Sequence, residues 1–385
     1  MPKNGFKIFD SDTHVGPYVD ILNPFIDDEI KAKLPAWEKY RTAHHKTGHV
    51  SYLMGQRKYR RRIGDAAPDP TPARYMAGFT GVATEKKPNI EIDKDPALRI
   101  ADLDYEGVDV NLMVPSGWFG TWTTVDDLDL ELGMYRAYHR WMDDYCGRYP
   151  DRLGGVILCS GRDVAASLIE LKRWGKARWA WGIMVYAPSD MPLDHPDLEP
   201  LWAAAADYDL AVVLHTFTVM PPYAPGGEDT WGNLWLQRSA SHPWCGMRNM
   251  ASLIGSGAME RYPSLRVATL EAGHGWLPFW MARIDEHART VRAGLPENFK
   301  GLPSDYVLGG RYYQSIDIAE GSDITRQVFE RVGDEVLMFA TDYPHGGGYY
   351  PRSADIVIGW DMPEQRKRKL LWDNAIKFYA RCGLT

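Results

Sequence analysis

The chain has 385 residues, of which 45% are hydrophobic and 25% are charged, so it can bury a large core. Its formal net charge of −7 argues against a nucleic-acid partner, which requires clustered positive charge. We expect no membrane partner, because no run of about 18 apolar residues is present. The N-terminal residues carry no signal-peptide pattern, which predicts a cytoplasmic location.

The spacing of the cysteines and one basic run limit the kinds of site that the chain can contain. The four cysteines are scattered without a C-x-x-C pair, which argues against a disulfide framework and against a structural zinc site. The basic run at residues 57–62 is typical of a solvated face. An oligomer contact and the rim of an anionic-substrate site are the alternatives for this run.

Short apolar runs alternate with longer helical patterns along the chain. Strands are predicted at residues 7–12, 108–114, 154–159, 182–186, 210–215, 265–271, 312–317 and 335–342. Helices are predicted at residues 128–149, 164–174, 198–208, 246–262, 276–293, 322–332 and 363–381. The alternation indicates an α/β fold with a parallel sheet, and eight strands favour a closed (β/α)8 TIM-type barrel over an open sheet. We expect one domain, residues 1–385.

Two long connections are candidates for covering the barrel mouth. The interval 19–101 is too long for one connection, contains several prolines and shows no clear strand, so we expect a mostly helical and irregular insertion after the first strand. The segment 221–229 is a second long loop. Both follow predicted strands, and active sites of barrels are built from such loops.

Four polar residues end three of the predicted strands. Asp12 and His14 lie two residues apart at the end of the first strand and therefore point to the same side. His215 ends the fifth strand and Asp342 ends the eighth, which is the neighbour of the first in a closed barrel. Taken singly, a strand-end aspartate is often a helix cap, and a buried histidine is often hydrogen-bonded core. Together the four residues predict a site for one divalent ion, with zinc, manganese or iron as candidates.

Several motifs along nearly the whole chain carry a family resemblance. They are FDSDTH at 9–14, IADLDYEGVD at 100–109, YPDRL at 149–153, HPDLEPLW at 195–202, VLH at 213–215, YPSLRV at 262–267, EAGHGWLP at 271–278 and ATDYPH at 340–345. With these motifs the chain resembles the amidohydrolase superfamily, and specifically its amidohydrolase-2 branch. That branch is related to aminocarboxymuconate semialdehyde decarboxylase and gamma-resorcylate decarboxylase.

The resemblance implies a barrel with one metal ion, zinc first, held by the four residues just described. It implies that Asp342 also moves a proton, and it favours a homodimer. Two positions depart from the family pattern. Asp12 stands where many relatives have His or Glu, and Ala272 stands where decarboxylase relatives have a strand-six histidine. Either Glu271 or His274, on either side of Ala272, is a candidate to replace that histidine.

The sequence favours hydrolysis of an amide, lactone or related bond of a small, aromatic or cyclic substrate by metal-activated water. The alternative is non-oxidative decarboxylation of an aromatic or unsaturated acid, and a remote alternative is a barrel that binds a ligand without catalysis. The predicted catalytic residues are Asp342, His274 and Glu271, although a salt bridge or cap is the simpler role for Glu271 and a loop contact is the simpler role for His274. The predicted substrate contacts are Trp276, His345 and Tyr343, and His345 could instead orient a ligand. Arg248 and Arg311 are candidates for a carboxylate anchor.

Overall fold

A computed structural model of the chain describes residues 3–53, 84–115, 122, 127–188, 191–216, 231, 234–346 and 348–384. Its largest sheet is parallel and has eight strands in the order β1-β4-β5-β6-β7-β8-β9-β10. The strands of this sheet are β1 Phe9–Val15, β4 Val110–Pro115, β5 Leu153–Ser160, β6 Ala180–Tyr186, β7 Ala211–His215, β8 Val267–Leu270, β9 Tyr312–Ser315 and β10 Leu337–Met338. Two further strands, β2 Arg41–Ala43 and β3 Val50–Tyr52, pair with each other.

Helices follow the strands of the large sheet. They are α1 Val19–Leu22, α2 Asp28–Lys31, α3 Pro96–Glu106, α4 Leu128–Gly147, α5 Val164–Trp174, α6 Glu199–Asp207, α7 Leu234–Leu236, α8 His242–Gly255, α9 Ala258–Arg261, α10 Leu277–Thr290, α11 Pro303–Leu308, α12 Gly321–Val332, α13 Ser353–Ile358, α14 Glu364–Arg368 and α15 Asn374–Phe378. Two π-helical turns, Gln237–Ser241 and Lys369–Asp373, interrupt this set. Three of the longer helices begin at an aspartate, Asp95, Asp127 or Asp163, whose side chain accepts a hydrogen bond from a backbone N–H in the first turn.

Backbone hydrogen bonds join the first strand to the chain that follows the last strand. The Asp342 N–H donates to the Asp12 carbonyl at 3.1 Å, and the His14 N–H donates to the Tyr343 carbonyl at 2.7 Å. These bonds close the eight-stranded sheet on itself. The predicted (β/α)8 barrel is therefore confirmed, and the open sheet is not what forms.

All eight predicted barrel strands are present, with ends that shift by a few residues. The eighth differs most, because β10 contains only Leu337–Met338 whereas the prediction extended to residue 342. Asp342 has a φ of +59°, in the left-handed region, so the chain cannot stay extended up to that residue. This turn directs the segment after β10 across the end of β1.

The region between β1 and α3 contains most of the insertion, in which the sequence showed no clear strand, and a short strand pair forms there. The antiparallel pair β2–β3 lies inside it, and Gly48 supplies a φ of +74° in the turn. Each strand of the pair has three residues, too few for a period-two pattern to be recognised. Residues 57–62 and 221–229 lie outside the described residues.

A continuous apolar core lies between the barrel strands and the surrounding helices. Close packing inside it requires a glycine at position 154, because an added Cβ there would lie 2.2 Å from the Trp181 ring. None of the helices in the described part of the chain is long and apolar enough to cross a membrane.

Candidate metal centre and active site

The four predicted metal ligands converge at the carboxyl end of the barrel. Asp12 and His14 lie on β1, His215 is the last residue of β7, and Asp342 follows β10. The His14 Nε2 atom lies 3.1 Å from Asp342 Oδ1. The Asp12 Oδ1 atom lies 3.7 Å from the Nε2 atoms of both His14 and His215. The structure thus brings together donor atoms that the sequence separates by more than three hundred residues.

Hydrogen bonding among the described residues leaves part of this cluster incomplete. Asp12 is 1% exposed, and its Oδ1 atom has no hydrogen-bond partner among them. The Nδ1 atom of His14, which is fully buried, has none there either. A buried polar group without a partner costs about 1–3 kcal/mol, so the Asp12 Oδ1 atom, 3.7 Å from the Nε2 atoms of His14 and His215, is suited to bind a cation. Donor atoms of Asp12, His14 and His215 lie within 4.8 Å of one another, and so do those of a second group, which contains His14, Glu271, Asp342 and His345. Carboxylates and imidazoles placed in this way fit a divalent metal ion.

The titration behaviour of the cluster agrees with this interpretation. Burial raises the pKa of Asp12, and the negative charges of Glu271 and Asp342 raise it further. Burial, together with the nearby His345, lowers the pKa of His14 to about 4, so this imidazole is neutral near pH 7 and can offer a lone pair. Carboxylates crowded in this way are stabilised by a cation between them.

Glu271 also enters the cluster, from the position just after β8. Its Oε2 atom lies 3.2 Å from His215 Nε2, and its Oε1 atom lies 3.1 Å from the Arg238 Nη2 atom. Glu271 has a φ of +50°, a conformation that costs free energy in a non-glycine residue. Its backbone is held there because its N–H donates to Ser315 Oγ and its carbonyl accepts from Thr216 Oγ1. Of the two residues that flank Ala272, Glu271 is the one that faces the metal ligands.

His274, the other flanking residue, lies outside the cluster. Its Nε2 atom lies 2.9 Å from Thr325 Oγ1 on α12, and its Nδ1 atom lies 2.8 Å from Glu320 Oε2. Gly273 has a φ of +68° and turns the chain between the two positions. The His274 side chain, predicted to be catalytic, therefore does not contact the cluster. Its hydrogen bonds indicate that it fixes the loop after β8 to α12.

His345, which was predicted to contact substrate or to orient a ligand, lies beside Asp342. Its Nδ1 atom lies 2.6 Å from Asp342 Oδ1, and its ring stacks on His14 with centroids 4.1 Å apart. Burial opposes ionisation of both groups of this pair. The attraction between them outweighs burial, so the pKa of Asp342 is lowered and that of His345 is raised. Asp342 is therefore an ionised carboxylate near pH 7.

Two predicted substrate contacts have structural partners instead. The Trp276 Nε1 atom donates to the Ala272 carbonyl at 2.9 Å, and the ring is 9% exposed. The Tyr343 hydroxyl donates to Asp102 Oδ2 at 2.7 Å, and the side chain is 1% exposed. Neither residue lines the pocket beside the cluster, because each aromatic side chain packs into the protein interior. Composition alone indicates that aromatic residues are abundant but gives no direction for their rings.

A pocket of about 430 Å³ opens beside the cluster, with Asp12, Glu271 and Asp342 in its wall. Arg238 and His242 line it too, and the sequence analysis missed both. Their positions depend on the π-helical turn Gln237–Ser241 and on the start of α8, and sequence spacing gives no signal for such a turn. Burial lowers the pKa of His242 to about 4, so it adds no positive charge near pH 7.

Neither candidate for a carboxylate anchor, Arg248 or Arg311, lines the pocket that Arg238 lines. Arg311 precedes β9, at the amino end of the strand, and its guanidinium donates to the Pro263 carbonyl at 2.8 Å. It therefore lies at the end of the barrel opposite the cluster. Arg248 lies on α8 with its guanidinium 5.9 Å from the centre of the Trp244 ring, and it does not line the pocket.

Comparison with known proteins identifies the family. The family model described as Amidohydrolase, of the amidohydrolase-2 type, matches residues 88–381. The chain belongs to this family. The chain is 26% identical over 295 residues to 2-amino-3-carboxymuconate-6-semialdehyde decarboxylase of Dictyostelium discoideum, with 75% of the chain and 78% of that protein covered. It is 24% identical over 252 residues to gamma-resorcylate decarboxylase of Polaromonas sp. strain JS666, with 62% of the chain and 74% of that protein covered.

Solved structures agree with the barrel. The amidohydrolase resembles 5-carboxyvanillate decarboxylase of Novosphingobium aromaticivorans with a TM-score of 0.68 and 19% identity, covering 98% of this chain and 97% of that one. That crystal contains manganese and 4-hydroxy-3-methoxy-5-nitrobenzoic acid. At this level of identity the likeness supports the fold.

Proposed function

We propose that this amidohydrolase is a metal-dependent decarboxylase that acts on a small aromatic carboxylic acid. The observation that carries the proposal is the position of Asp342, an ionised carboxylate between His14 and His345 in the wall of a pocket. The sequence alone favoured hydrolysis of an amide, lactone or related bond. The named relatives are all decarboxylases, so they support the alternative reaction.

Asp12, His14, His215 and Asp342 would hold one divalent ion, and its chemistry would be that of a Lewis acid that binds and polarises substrate oxygen atoms. Zinc was the first expectation from the sequence. Manganese gains support from the decarboxylase of Novosphingobium aromaticivorans, which contains it. We propose that either ion can occupy the site and that manganese supports the reaction.

Asp342 would act first as a base and then as an acid. Because its pKa is lowered, it begins ionised and can take the proton of a substrate hydroxyl group next to the carboxylate. The bond between the ring carbon and the carboxylate carbon then breaks, carbon dioxide leaves, and the electron pair stays on the ring carbon. Asp342 returns the proton to that carbon. The aromatic product then leaves with its former hydroxyl oxygen as a phenolate. His345, 2.6 Å away, would hold the Asp342 carboxylate in position for both transfers.

Arg238 would attract the anionic substrate into the pocket. Its side chain is 34% exposed and donates to Glu271, so it can face both the ligand cluster and an incoming carboxylate. Tyr349 lines the same pocket and offers an aromatic face to a planar substrate. The predicted homodimer, the cytoplasmic location and the single domain spanning residues 1–385, with the insertion 19–101 covering the site, stay predictions.

A product assay tests the proposal directly. Wild-type protein loaded with manganese is incubated with 2,6-dihydroxybenzoate and with 5-carboxyvanillate, and release of carbon dioxide is measured. We expect release with at least one acid of this class, and loss of release in Asp342→Asn. If a panel of such acids yields no carbon dioxide while lactones or amides are hydrolysed, the decarboxylase proposal is overturned.

A further inference from the structure

We propose that Glu271 is itself a ligand of the metal ion and that it makes the site more favourable to manganese, relative to zinc, than a histidine at that position would. This proposal rests on the proposed metal site and deepens it. The complete ligand set would then be Asp12, His14, His215, Glu271 and Asp342, with three carboxylates and two imidazoles.

Donor spacing supports the assignment. Glu271 Oε2 lies 3.2 Å from His215 Nε2, which matches the 3.1 Å between His14 Nε2 and Asp342 Oδ1. Ligand atoms about 2.1 Å from a common ion are separated by about 3 Å, so both pairs have the spacing of neighbouring ligands. Donor atoms of Glu271, His14, Asp342 and His345 also lie within 4.8 Å of one another, and this group shares His14 with the group of Asp12, His14 and His215.

A second observation, separate from the spacing of the donor atoms, indicates an ion beside Asp12 and His215. The Asp12 Oδ1 atom is buried, lies 3.7 Å from His215 Nε2, and has no hydrogen-bond partner among the described residues. Among the described residues that line the pocket, the carboxylates of Asp12, Glu271 and Asp342 outnumber the one guanidinium, that of Arg238, so acidic groups are in excess. A divalent ion would offset that excess.

The conformation of Glu271 explains how a longer side chain can occupy the site. Its left-handed backbone, held by the bonds to Ser315 and Thr216, points the carboxylate toward His215, while Arg238 holds the second oxygen. One oxygen is thus available to an ion and the other is restrained. Glu271 would be a ligand whose orientation is set by Arg238.

The chemical consequence concerns metal selection. Carboxylate oxygens suit manganese, and a larger number of ligands favours the octahedral geometry that this ion prefers. Imidazole nitrogen and a four-ligand set suit zinc. Replacing Glu271 with histidine should therefore shift selection toward zinc.

The test compares Glu271→His and Glu271→Gln with the wild type. Asp317→Asn serves as the matched control, because Asp317 is a carboxylate of the same pocket that lies outside the donor cluster. Asparagine can still accept the hydrogen bond that Asp317 receives from the Ala319 N–H. Each metal-free protein is dialysed against equal free concentrations of manganese and zinc, and bound metal is measured by elemental analysis. The Mn²⁺ electron paramagnetic resonance spectrum of each loaded protein is also recorded.

We expect the bound zinc-to-manganese ratio to rise by about tenfold or more in Glu271→His, a size typical of ligand and near-ligand changes, and to stay within about twofold in Asp317→Asn. If Glu271→His does not fold, Glu271→Gln decides, with an expected loss of manganese affinity that exceeds its loss of zinc affinity. Unchanged ratios and unchanged Mn²⁺ spectra in the Glu271 variants would overturn the assignment while the proposed decarboxylase stands. A wild type that binds neither ion overturns both proposals.

Discussion

Two fully buried histidines, His14 and His139, show how differently the barrel uses the same side chain. His139 on α4 lies 2.8 Å from Glu170 Oε2 through its Nδ1 atom, and its Nε2 atom accepts a hydrogen bond from the Leu158 N–H at 2.9 Å. His14 faces carboxylates through Nε2 and has no hydrogen-bond partner for Nδ1 among the described residues. A histidine whose two nitrogens both have protein partners stabilises the fold, whereas one that faces several carboxylates indicates a metal site.

Replacing His14 should have the largest effect. We expect His14→Ala to lower bound metal from about one equivalent to less than about a tenth, because His14 is the one residue that belongs to both groups of neighbouring donor atoms found among the described residues. The backbone bond from residue 14 to Tyr343 is retained, so the barrel should still close. Elemental analysis measures the metal, and circular dichroism checks the fold. A variant that keeps its full metal content would remove His14 from the ligand set.

Replacing His139 should lower the stability of the fold and leave the bound metal unchanged. His139→Ala removes two hydrogen bonds and leaves the Leu158 N–H and the Glu170 carboxylate without these partners, which should lower the free energy of unfolding by about 3 kcal/mol. Urea denaturation measures this loss. Bound metal should remain at the wild-type level, because His139 is outside the donor cluster. Loss of metal from a folded His139→Ala protein would contradict the division between the two histidines.

Variants of His345 test whether a residue next to the cluster can support the reaction without binding the metal ion. We expect His345→Ala to lower kcat by roughly tenfold to a hundredfold through loss of the group that holds Asp342, with little change in metal content. His345→Asn should recover part of this loss, because an asparagine amide can donate from nearly the same position. If both variants lose metal in parallel with activity, His345 is a ligand and not a positioning residue.

The smallest effect concerns pH. Burial lowers the pKa of His139 in the folded protein, so the unfolded chain binds more protons than the folded one as the pH falls below about 6.5. The stability contributed by neutral His139 is therefore present above pH 6.5 and is lost at lower pH. We expect the free energy of unfolding of His139→Gln to fall less steeply between pH 7 and pH 5 than that of the wild type. Parallel slopes in urea titrations would exclude this contribution.

Local pattern predicted the barrel because its strands are continuous apolar runs, as in β7 Ala211–His215. It also predicted the convergence of Asp12, His14, His215 and Asp342, because strand ends meet at one edge in a closed barrel. It could not choose between Glu271 and His274. That choice depends on the left-handed backbone of Glu271 and Gly273, which turns the chain so that the side chains of Glu271 and His274 point in different directions.

Other parts of the site depend on tertiary contacts that carry no local signal. Arg238 reaches the pocket from a π-helical turn, and neither its neighbours nor its spacing in the sequence identify it as a pocket residue. Trp276 and Tyr343 were predicted at the mouth because large aromatic residues are common in pockets. Their polar atoms instead bond to Ala272 and Asp102 inside the protein. The direction of such side chains depends on partners distant in sequence.

The hydrogen bond between Asp342 and Asp12 links the site to the two ends of the chain. A ribosome has delivered Asp12, His14 and His215 long before it delivers Asp342, so the growing chain offers an ion only part of its ligand set. The set becomes complete when the last strand pairs with the first. Metal uptake should therefore report that the barrel has closed, and a chain that stops before β10 should be distinguishable by its failure to keep the ion.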